Sequence, residues 1–110
     1  MSEPYRIRIP ASIDQQMAVW PISNDIRTAA LQHLRETVAA DPVSYLRPVV
    51  MPWGERLNLF SFRMPDAMMP GAFHVFMFHF VYSDDETALI MMQCGYQHVR
   101  PLDGNGLPVE

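Results

Sequence analysis

The chain has 110 residues, of which 49% are apolar and 18% are charged, and its formal net charge is −4. These values predict one soluble domain with a hydrophobic core and exclude a disordered chain. The negative charge disfavours a broad, non-specific grip on nucleic acid, because phosphate binding depends on clustered positive charge. All eight basic residues are arginine, so lysine is excluded as a nucleophile or Schiff base.

The sequence carries no signal for export or membrane insertion. Its apolar runs are shorter than the roughly 18–20 residues of a membrane-spanning helix. The first four residues include an acid and no apolar stretch, unlike a secretory signal. A single cysteine, Cys94, excludes an internal disulfide and suits a reducing compartment. We therefore expect a cytoplasmic protein that does not bind a membrane.

The start of the chain predicts an edge strand followed by a short helix. Polar and apolar residues alternate between Pro4 and Pro10, as expected of a short edge strand bounded by prolines. Ser12 and Gln15 have the spacing of a capping box, and apolar residues then recur at helical spacing. Pro21 ends this helix.

A second helix begins after this proline. Ser23 or Asn24 can cap it, and a stripe of apolar residues extends through Ala40. Asp41 followed by Pro42 stops the helix. The two helices together form an α-hairpin that covers one face of a sheet.

Three antiparallel strands complete the predicted fold. Residues 56–64 alternate loosely, residues 73–82 are rich in aromatic and β-branched side chains, and residues 87–98 return after a polar turn. The predicted class is therefore α+β, in the order β-α-α-β-β-β, with the α-hairpin packed on an antiparallel sheet that the first strand can join as a fourth. We expect residues 1–100 to form this single domain and residues 101–110 to be a flexible tail.

The register of the last hairpin decides which side chains share a face of the sheet. If Tyr82 pairs with Thr87, strict alternation places His74 opposite Gly95 and sends His98 to the other face. A bulge at Gly95 would bring the two histidines to one face.

Both faces of this hairpin are apolar, and two helices can cover only one of them. The second face could meet a partner protein or a second copy of the chain. Alternatively, the C-terminal tail and the loop around Met68 and Met69 could cover it.

The sequence lacks several motifs that bind cofactors or metals. It has no glycine-rich phosphate loop, no paired-cysteine zinc motif and no histidine pair at helical metal spacing, so we expect no cofactor and no metal. His79, Cys94 and His98 lie on strands, but the predicted register separates Cys94 from either histidine by roughly 13 Å, too far for one ion. Cys94 is expected to be a buried hydrophobe, and residues 84–86 a solvated acidic turn.

Five residues of the strands remain as candidates for chemistry: His74, Tyr96, His98, Arg56 and Arg63. Histidine exchanges protons near neutral pH, and arginine binds phosphate. Together they could cleave a phosphodiester, with one group taking the ribose 2′-hydroxyl proton, another protonating the leaving oxygen and arginine stabilising charge on phosphorus. The alternative is that the strand-end histidines only complete a core.

Three features of the chain form a familiar combination: the edge strand, the α-hairpin ending at Asp41 and Pro42, and the three-stranded meander. Within the meander, residues 73–75 (Phe-His-Val) precede a hydrophobic strand and a polar turn, and residues 94–98 (Cys-Gly-Tyr-Gln-His) end the last strand. This pattern resembles the RelE/ParE superfamily of small bacterial toxins over most of residues 5–100. In that family an aromatic-Arg-aliphatic strand and a terminal glycine followed by basic residues occupy these places.

The resemblance implies a fold whose active members cleave messenger RNA on the ribosome without a metal and are restrained by an antitoxin peptide. Other members poison DNA gyrase. The likeness places His74 where the family has a catalytic arginine, Arg63 in the preceding strand, and Tyr96 and His98 in the terminal cluster. The acidic charge and the absence of lysine depart from the family, whose toxins are usually basic.

The first expected function is therefore a toxin-like, metal-independent RNA endonuclease of a toxin–antitoxin system. In this function His74, Tyr96 and His98 have acid–base roles, and Arg56 and Arg63 bind the phosphate of the RNA. An antitoxin-like protein is then the expected partner.

The second expected function is a non-catalytic interaction module on the same fold, acting as a homodimer or with a protein partner. It rests on the apolar sheet faces and on Met64, Met68 and Met69, because methionine suits adaptable contact surfaces. A small-molecule pocket lined by Trp20 and Trp53 is a further alternative.

Overall fold

The computed structural model describes residues 3–102, which form three helices and five strands. In chain order the elements are β1 (Arg6–Arg8), α1 (Ala11–Ala18), α2 (Asn24–Glu36), α3 (Pro42–Tyr45), β2 (Arg47–Val50), β3 (Arg56–Pro65), β4 (Phe73–Tyr82) and β5 (Ala88–Val99). The α+β class predicted from the sequence is confirmed. Residues 103–110, most of the predicted tail, lie outside the described residues.

The strands form one sheet in the order β1-β5-β4-β3-β2. The strands from β2 to β5 pair antiparallel, as the predicted meander requires, whereas β1 runs parallel to β5. The first strand thus joins the sheet at its edge, and the sheet is mixed rather than purely antiparallel.

The predicted element order lacks α3 and β2, and both omissions come from prolines. Asp41 and Pro42 begin α3: Asp41 accepts hydrogen bonds from the N–H and the hydroxyl of Ser44, at 3.4 and 2.6 Å, and Pro42 occupies the first turn, where a missing N–H costs nothing. Pro48 argues against a strand at this position, because proline cannot donate a hydrogen bond to a neighbouring strand. However, β2 lies at the sheet edge, where proline is tolerated.

The starts of the two longer helices differ in how well the sequence predicts them. Ser23 caps α2 as expected, and its hydroxyl accepts a hydrogen bond from the N–H of Ile26 at 3.2 Å. The capping box at Ser12 is wrong, because Ser12 lies inside α1 and no side chain caps that helix. The C-terminal end of α2 comes four residues earlier than predicted.

Arg27 joins the end of α1 to the start of α2. Its guanidinium donates to the backbone carbonyls of Met17 at 2.9 Å and of Trp20 and Ile22 at 3.4 Å. This clasp places the Trp20 indole over the sheet, where its ring centroid lies 5.7 Å from that of Tyr96. The helical hairpin is therefore fixed directly against the end of β5.

The helices cover one face of the sheet, which we call the covered face. Alternate β4 residues, Phe76, Phe78 and Phe80, point into this side and are fully buried. Met17 and Leu34 of the helices pack in the same cluster. Removal of this apolar surface from water is the main force that holds the helices on the sheet. None of the helices between residues 3 and 102 has both the length and the apolar character that a bilayer crossing requires.

The predicted register of the β4–β5 hairpin is wrong at its turn. Tyr82 pairs with Leu89 rather than Thr87, because the turn is longer than predicted. The Ser83 hydroxyl accepts the N–H of Ala88 at 3.0 Å, and the Asp85 carboxylate accepts from the hydroxyls of Ser83 and Thr87 at 2.7 and 2.8 Å. These hydrogen bonds satisfy the polar groups of a wider loop. This displacement of two residues leaves the face of each side chain unchanged.

A bulge in β5 changes the face of the sheet on which the following β5 side chains lie. Phe80 pairs with Met91 but His79 pairs with Gln93, so Met92 is an extra residue in β5. Every β5 side chain beyond the bulge moves to the face opposite to the predicted one. The bulge brings His98 directly opposite His74, on the covered face, and it occurs three residues before the predicted position at Gly95.

Candidate functional site

Four polar side chains meet at the end of the covered face where β4 begins and β5 ends. His74 and His98 are cross-strand partners, and their ring centroids lie 5.3 Å apart. Tyr96 precedes His98 on the same face of β5, and Asp66 follows the last residue of β3. We call these four residues the Asp66 cluster.

Two short hydrogen bonds divide the Asp66 cluster into pairs. His98 Nε2 lies 2.8 Å from Asp66 Oδ2, and His74 Nδ1 lies 2.7 Å from the Tyr96 hydroxyl oxygen. The two pairs are close to each other, because His74 Nε2 lies 3.9 Å from the same Asp66 oxygen. One carboxylate oxygen therefore faces a ring nitrogen of each histidine.

The cluster is partly shielded from water. The side chains of His74 and Asp66 are 9% and 13% exposed, whereas that of His98 is 25% exposed. Each of the three can thus contact a small bound group on one side while its other side packs against protein. This exposure is expected of a site rather than of a fully solvated surface pair.

Asp66 is held by its own loop as well as by His98. Its Oδ1 accepts the N–H of Met68 at 2.8 Å, and its N–H donates to the carbonyl of Ala72 at 2.9 Å. The hydrogen bond from Met68, followed by that from His98 and the nearby histidine charges, lowers the pKa of the Asp66 carboxyl. Asp66 therefore carries a negative charge in neutral solution, aimed at both histidines.

Tyr96 is packed on its ring faces and polar at its tip. Its ring centroid lies 5.4 Å from that of Phe76, and Trp20 packs against it from the helical hairpin. Burial, and then the negative charge of Asp66, raises the pKa of the Tyr96 hydroxyl. Tyr96 therefore stays protonated in neutral solution and can donate its proton in a hydrogen bond.

The cluster opens into a cleft of about 310 Å³ that Pro21 and Arg100 also line. Arg100 follows β5 directly and is exposed. It supplies a guanidinium, which suits recognition of a phosphate or carboxylate. The cleft thus combines one cation, one carboxylate and three side chains that can exchange or donate protons.

The structure brings together three of the five residues singled out in the sequence. His74, Tyr96 and His98 belong to the cluster. Arg63 lies near them but points to the other face, where its guanidinium carbon lies 4.7 Å from the centroid of the Phe73 ring. Arg56 begins β3, eight residues from the β3 partner of His74, which corresponds to about 26 Å along the strand.

Sequence reasoning missed Asp66 and Arg100. Asp66 is the first residue after β3, and in a three-stranded meander that position lies beside the start of β4 and the end of β5. Arg100 comes two residues after His98 and is a cation at the same sheet end. The sequence signal that could have identified both residues is their position at the end of the sheet where three strands meet. That position can be recognised only when the register of the hairpin is known.

Other predicted residues lie outside this cluster. Cys94 lies on the covered face with its Sγ 3.7 Å from Gln16 Oε1, and burial raises the pKa of its thiol, which disfavours the nucleophilic thiolate. His79 lies on the opposite face of β4. Trp53 is 60% exposed, whereas Trp20 packs against Phe76, so the two indoles do not line a common pocket.

The face of the sheet opposite the helices, which we call the open face, remains accessible in the described residues. Met77 and Val99 on this face are 45% and 40% exposed, and the bulge residue Met92 is 39% exposed. The loop around Met68 does not cover these side chains, and Met68 itself is 92% exposed. Coverage by the tail concerns residues that lie beyond the described range.

Comparison with known proteins adds no assignment to this geometry. The sequence matches no protein-family model, and a search of curated proteins finds no significant match.

Proposed function

We propose that this protein is a toxin-like endoribonuclease that cleaves RNA by metal-independent acid–base chemistry at the Asp66 cluster. The observation that carries the proposal is the convergence of two imidazoles and a phenol on one cleft, with a carboxylate that orients one imidazole at 2.8 Å. A histidine held by a carboxylate is an effective proton acceptor, because the carboxylate stabilises the imidazolium that forms.

The His98–Asp66 pair is suited to act as the general base. When Nε2–H of His98 donates to Asp66, the Nδ1 lone pair is left to accept the proton of a ribose 2′-hydroxyl. The 2′-oxygen then attacks phosphorus, the O2′–P bond forms and the P–O5′ bond breaks. The products are a 2′,3′-cyclic phosphate and a new 5′-hydroxyl end.

The Tyr96–His74 pair is suited to act as the general acid. The 2.7 Å hydrogen bond connects the phenol to the imidazole, and the raised pKa of Tyr96 means that the phenol keeps its proton and orients His74, whose imidazole is the better proton donor. This pair gives a proton to the departing 5′-oxygen, which would otherwise leave as an unstable alkoxide. Arg100 lies beside the cleft and stabilises the charge on phosphorus.

The positions of Arg56 and Arg63 do not support the phosphate-binding role expected for them. Neither guanidinium shares the cleft with the histidines, whereas Arg100 does. With a net charge of −4, the chain is poorly suited to a long electrostatic footprint on RNA. We therefore propose that the protein contacts the RNA around a single phosphate, and not along a groove that follows the RNA backbone.

The toxin–antitoxin context of the proposal rests on the resemblance to the RelE/ParE superfamily. The helical hairpin and the meander, two of the features on which that resemblance was based, supply the residues that line the cleft. A cytoplasmic location and an antitoxin-like partner belong to the same proposal.

RNA cleavage by purified protein tests this function. A defined messenger RNA is incubated with the protein, free in EDTA and also in a reconstituted translation reaction. We expect cleavage by the wild type in at least one of these settings and a loss of at least about 10²-fold in His98→Gln, the usual scale of an acid–base contribution. Glutamine can still donate to Asp66 but cannot exchange a proton.

The matched control is His79→Gln, a substitution of the same type on the same sheet but on the opposite face. Its cleavage rate should equal that of the wild type. Absence of cleavage in both settings, or equal rates for His98→Gln and His79→Gln, would exclude the proposed function.

A second candidate function, a non-catalytic interaction module, is favoured by the open face. Its exposed apolar side chains, Met77, Met92 and Val99, form a hydrophobic surface whose exposure to water is unfavourable. A homodimer or a protein partner seated there would remove that surface from water. The cluster and the open face lie on opposite sides of the sheet, so the two functions are compatible.

A further inference from the structure

The same cluster contains a donor set that suits a transition-metal ion. One ring nitrogen from each of His74 and His98 and one Asp66 oxygen all lie within 4.8 Å of one another. Two ligand atoms on a tetrahedral zinc ion are about 3.3 Å apart. Asp66 Oδ2 lies 2.8 Å from His98 Nε2 and 3.9 Å from His74 Nε2, one distance below and one above that value.

The surroundings of the three ligands are those of a supported metal site. His74 presents Nε2 to the cluster while its Nδ1 is held by the Tyr96 hydroxyl, and Asp66 presents Oδ2 while its Oδ1 is held by the N–H of Met68. Such outer contacts orient ligands toward a metal and strengthen its binding. The side open to the cleft leaves room for water or another ligand.

We propose that Asp66, His74 and His98 form a binding site for a divalent transition-metal ion of the zinc class. Two imidazoles and one carboxylate favour zinc and neighbouring ions over magnesium or calcium, which prefer sets of oxygen ligands. The negative charge of Asp66 offsets part of the charge of the ion. This site goes beyond the sequence prediction, which tested only His79, Cys94 and His98 as ligands.

Metal binding and the proposed acid–base chemistry exclude each other. The ion takes Nε2 of His98 and the carboxylate of Asp66, so it breaks the hydrogen bond that orients the base. The imidazole proton of His98 then lies on Nδ1, the atom that would accept the ribose proton. It also requires an unprotonated Nε2 on His74, whose ring proton then lies on Nδ1 and is donated to the Tyr96 oxygen. The ion is therefore an inhibitor of cleavage at this site, an effect that rests on the proposed function, whereas the binding itself does not.

Metal titration without RNA tests the site. The purified chain is stripped with a chelator, dialysed and titrated with Zn²⁺ by calorimetry, and with Co²⁺ by visible absorption, which reports its coordination. We expect one ion per chain. The variants Asp66→Asn, His74→Asn and His98→Gln should each lose more affinity than Tyr96→Phe, because each replaces a direct ligand. Tyr96→Phe should weaken binding by about 10- to 100-fold, because it removes only the support of His74.

The control variant is again His79→Gln, which should bind as tightly as the wild type, and far-ultraviolet circular dichroism checks that each variant is folded. Failure of the wild type to bind saturably, or folded ligand variants that bind like the wild type, would overturn the site. If the wild type cleaves RNA, Zn²⁺ should stop cleavage and a chelator should restore it. A chain that binds Zn²⁺ but never cleaves RNA would support the metal site and remove only the proposed function.

Discussion

At the scale of single residues, Asp66 organises the cluster although it makes few contacts. One of its oxygens faces both histidines, and the other is fixed by the backbone of its own loop. The histidines and Tyr96 could be selected from the sequence because proton-exchanging side chains at strand ends are conspicuous. Asp66 could not, since an acid after a strand looks like any solvated loop residue until the strands are placed side by side.

The turn residue Asp85 makes a prediction about acid stability. Hydrogen bonds from the side chain of Ser83 and then from Thr87 lower the pKa of its carboxyl to about 2. A lowered pKa in the folded state means that ionised Asp85 stabilises the fold above about pH 4, and that this contribution is lost as the pH falls from about 4 through 2. We therefore expect Asp85→Ala to melt below the wild type at pH 7, with a gap that narrows toward pH 2.

Thermal melts of both proteins between pH 7 and pH 2 measure this gap. Asp84→Ala, an exposed neighbour in the same turn, is the control and should change the melting temperature little. A gap of constant size at every pH would show that Asp85 does not act through its charge.

At the scale of elements, the sequence predicted the long strands and their antiparallel order well, but it predicted the register of the last hairpin poorly. Phe73 to Tyr82 forms β4 as expected, because its side chains suit a buried strand. The register depends on a wider turn, which is held by local hydrogen bonds of Ser83 and Asp85, and on the Met92 bulge further along β5. Three of the five predicted site residues lie together at one end of the sheet, whereas the faces predicted for β5 side chains beyond the bulge were wrong.

The two serines near the helix starts provide a test of capping. Ser23→Ala removes the hydrogen bond to the start of α2 and should lower the free energy of unfolding by about 1 kcal/mol. Ser12→Ala should change it by less than about 0.5 kcal/mol, because Ser12 is an exposed residue inside α1. Urea unfolding of the wild type and both variants measures the difference. A larger loss for Ser12→Ala than for Ser23→Ala would contradict the assigned helix starts.

At the scale of the whole molecule, the sheet separates two surfaces of different character. The covered face ends in the polar cleft, and the open face carries exposed methionines and a valine. The sequence predicted that two helices would leave one face free, since the apolar pattern of the hairpin is two-sided. Strict alternation assigned His98 to the face opposite His74 unless a bulge intervened, so the sequence could not place the cluster and the open face on opposite sides.

The interaction-module hypothesis predicts that the open face mediates self-association. Light scattering after gel filtration should give the mass of a dimer at high protein concentration. The double variant Met77→Glu, Met92→Glu should return the protein to a monomer, because each charge would have to be buried in the interface. Val19→Glu is the matched control, since Val19 is 81% exposed but lies at the end of α1, on the covered side of the sheet. A monomeric wild type at all concentrations would contradict self-association through this face.

The central claim, that the Asp66 cluster cleaves RNA through the ribose 2′-hydroxyl, is tested most directly with a change in the substrate. An RNA with its cleavage position mapped is compared with the same molecule carrying one 2′-deoxy nucleotide on the 5′ side of that bond. The account predicts that wild-type protein cuts the all-ribose molecule to a 2′,3′-cyclic phosphate end and leaves the substituted bond intact. Equal cleavage of both molecules, or none of either, would contradict it.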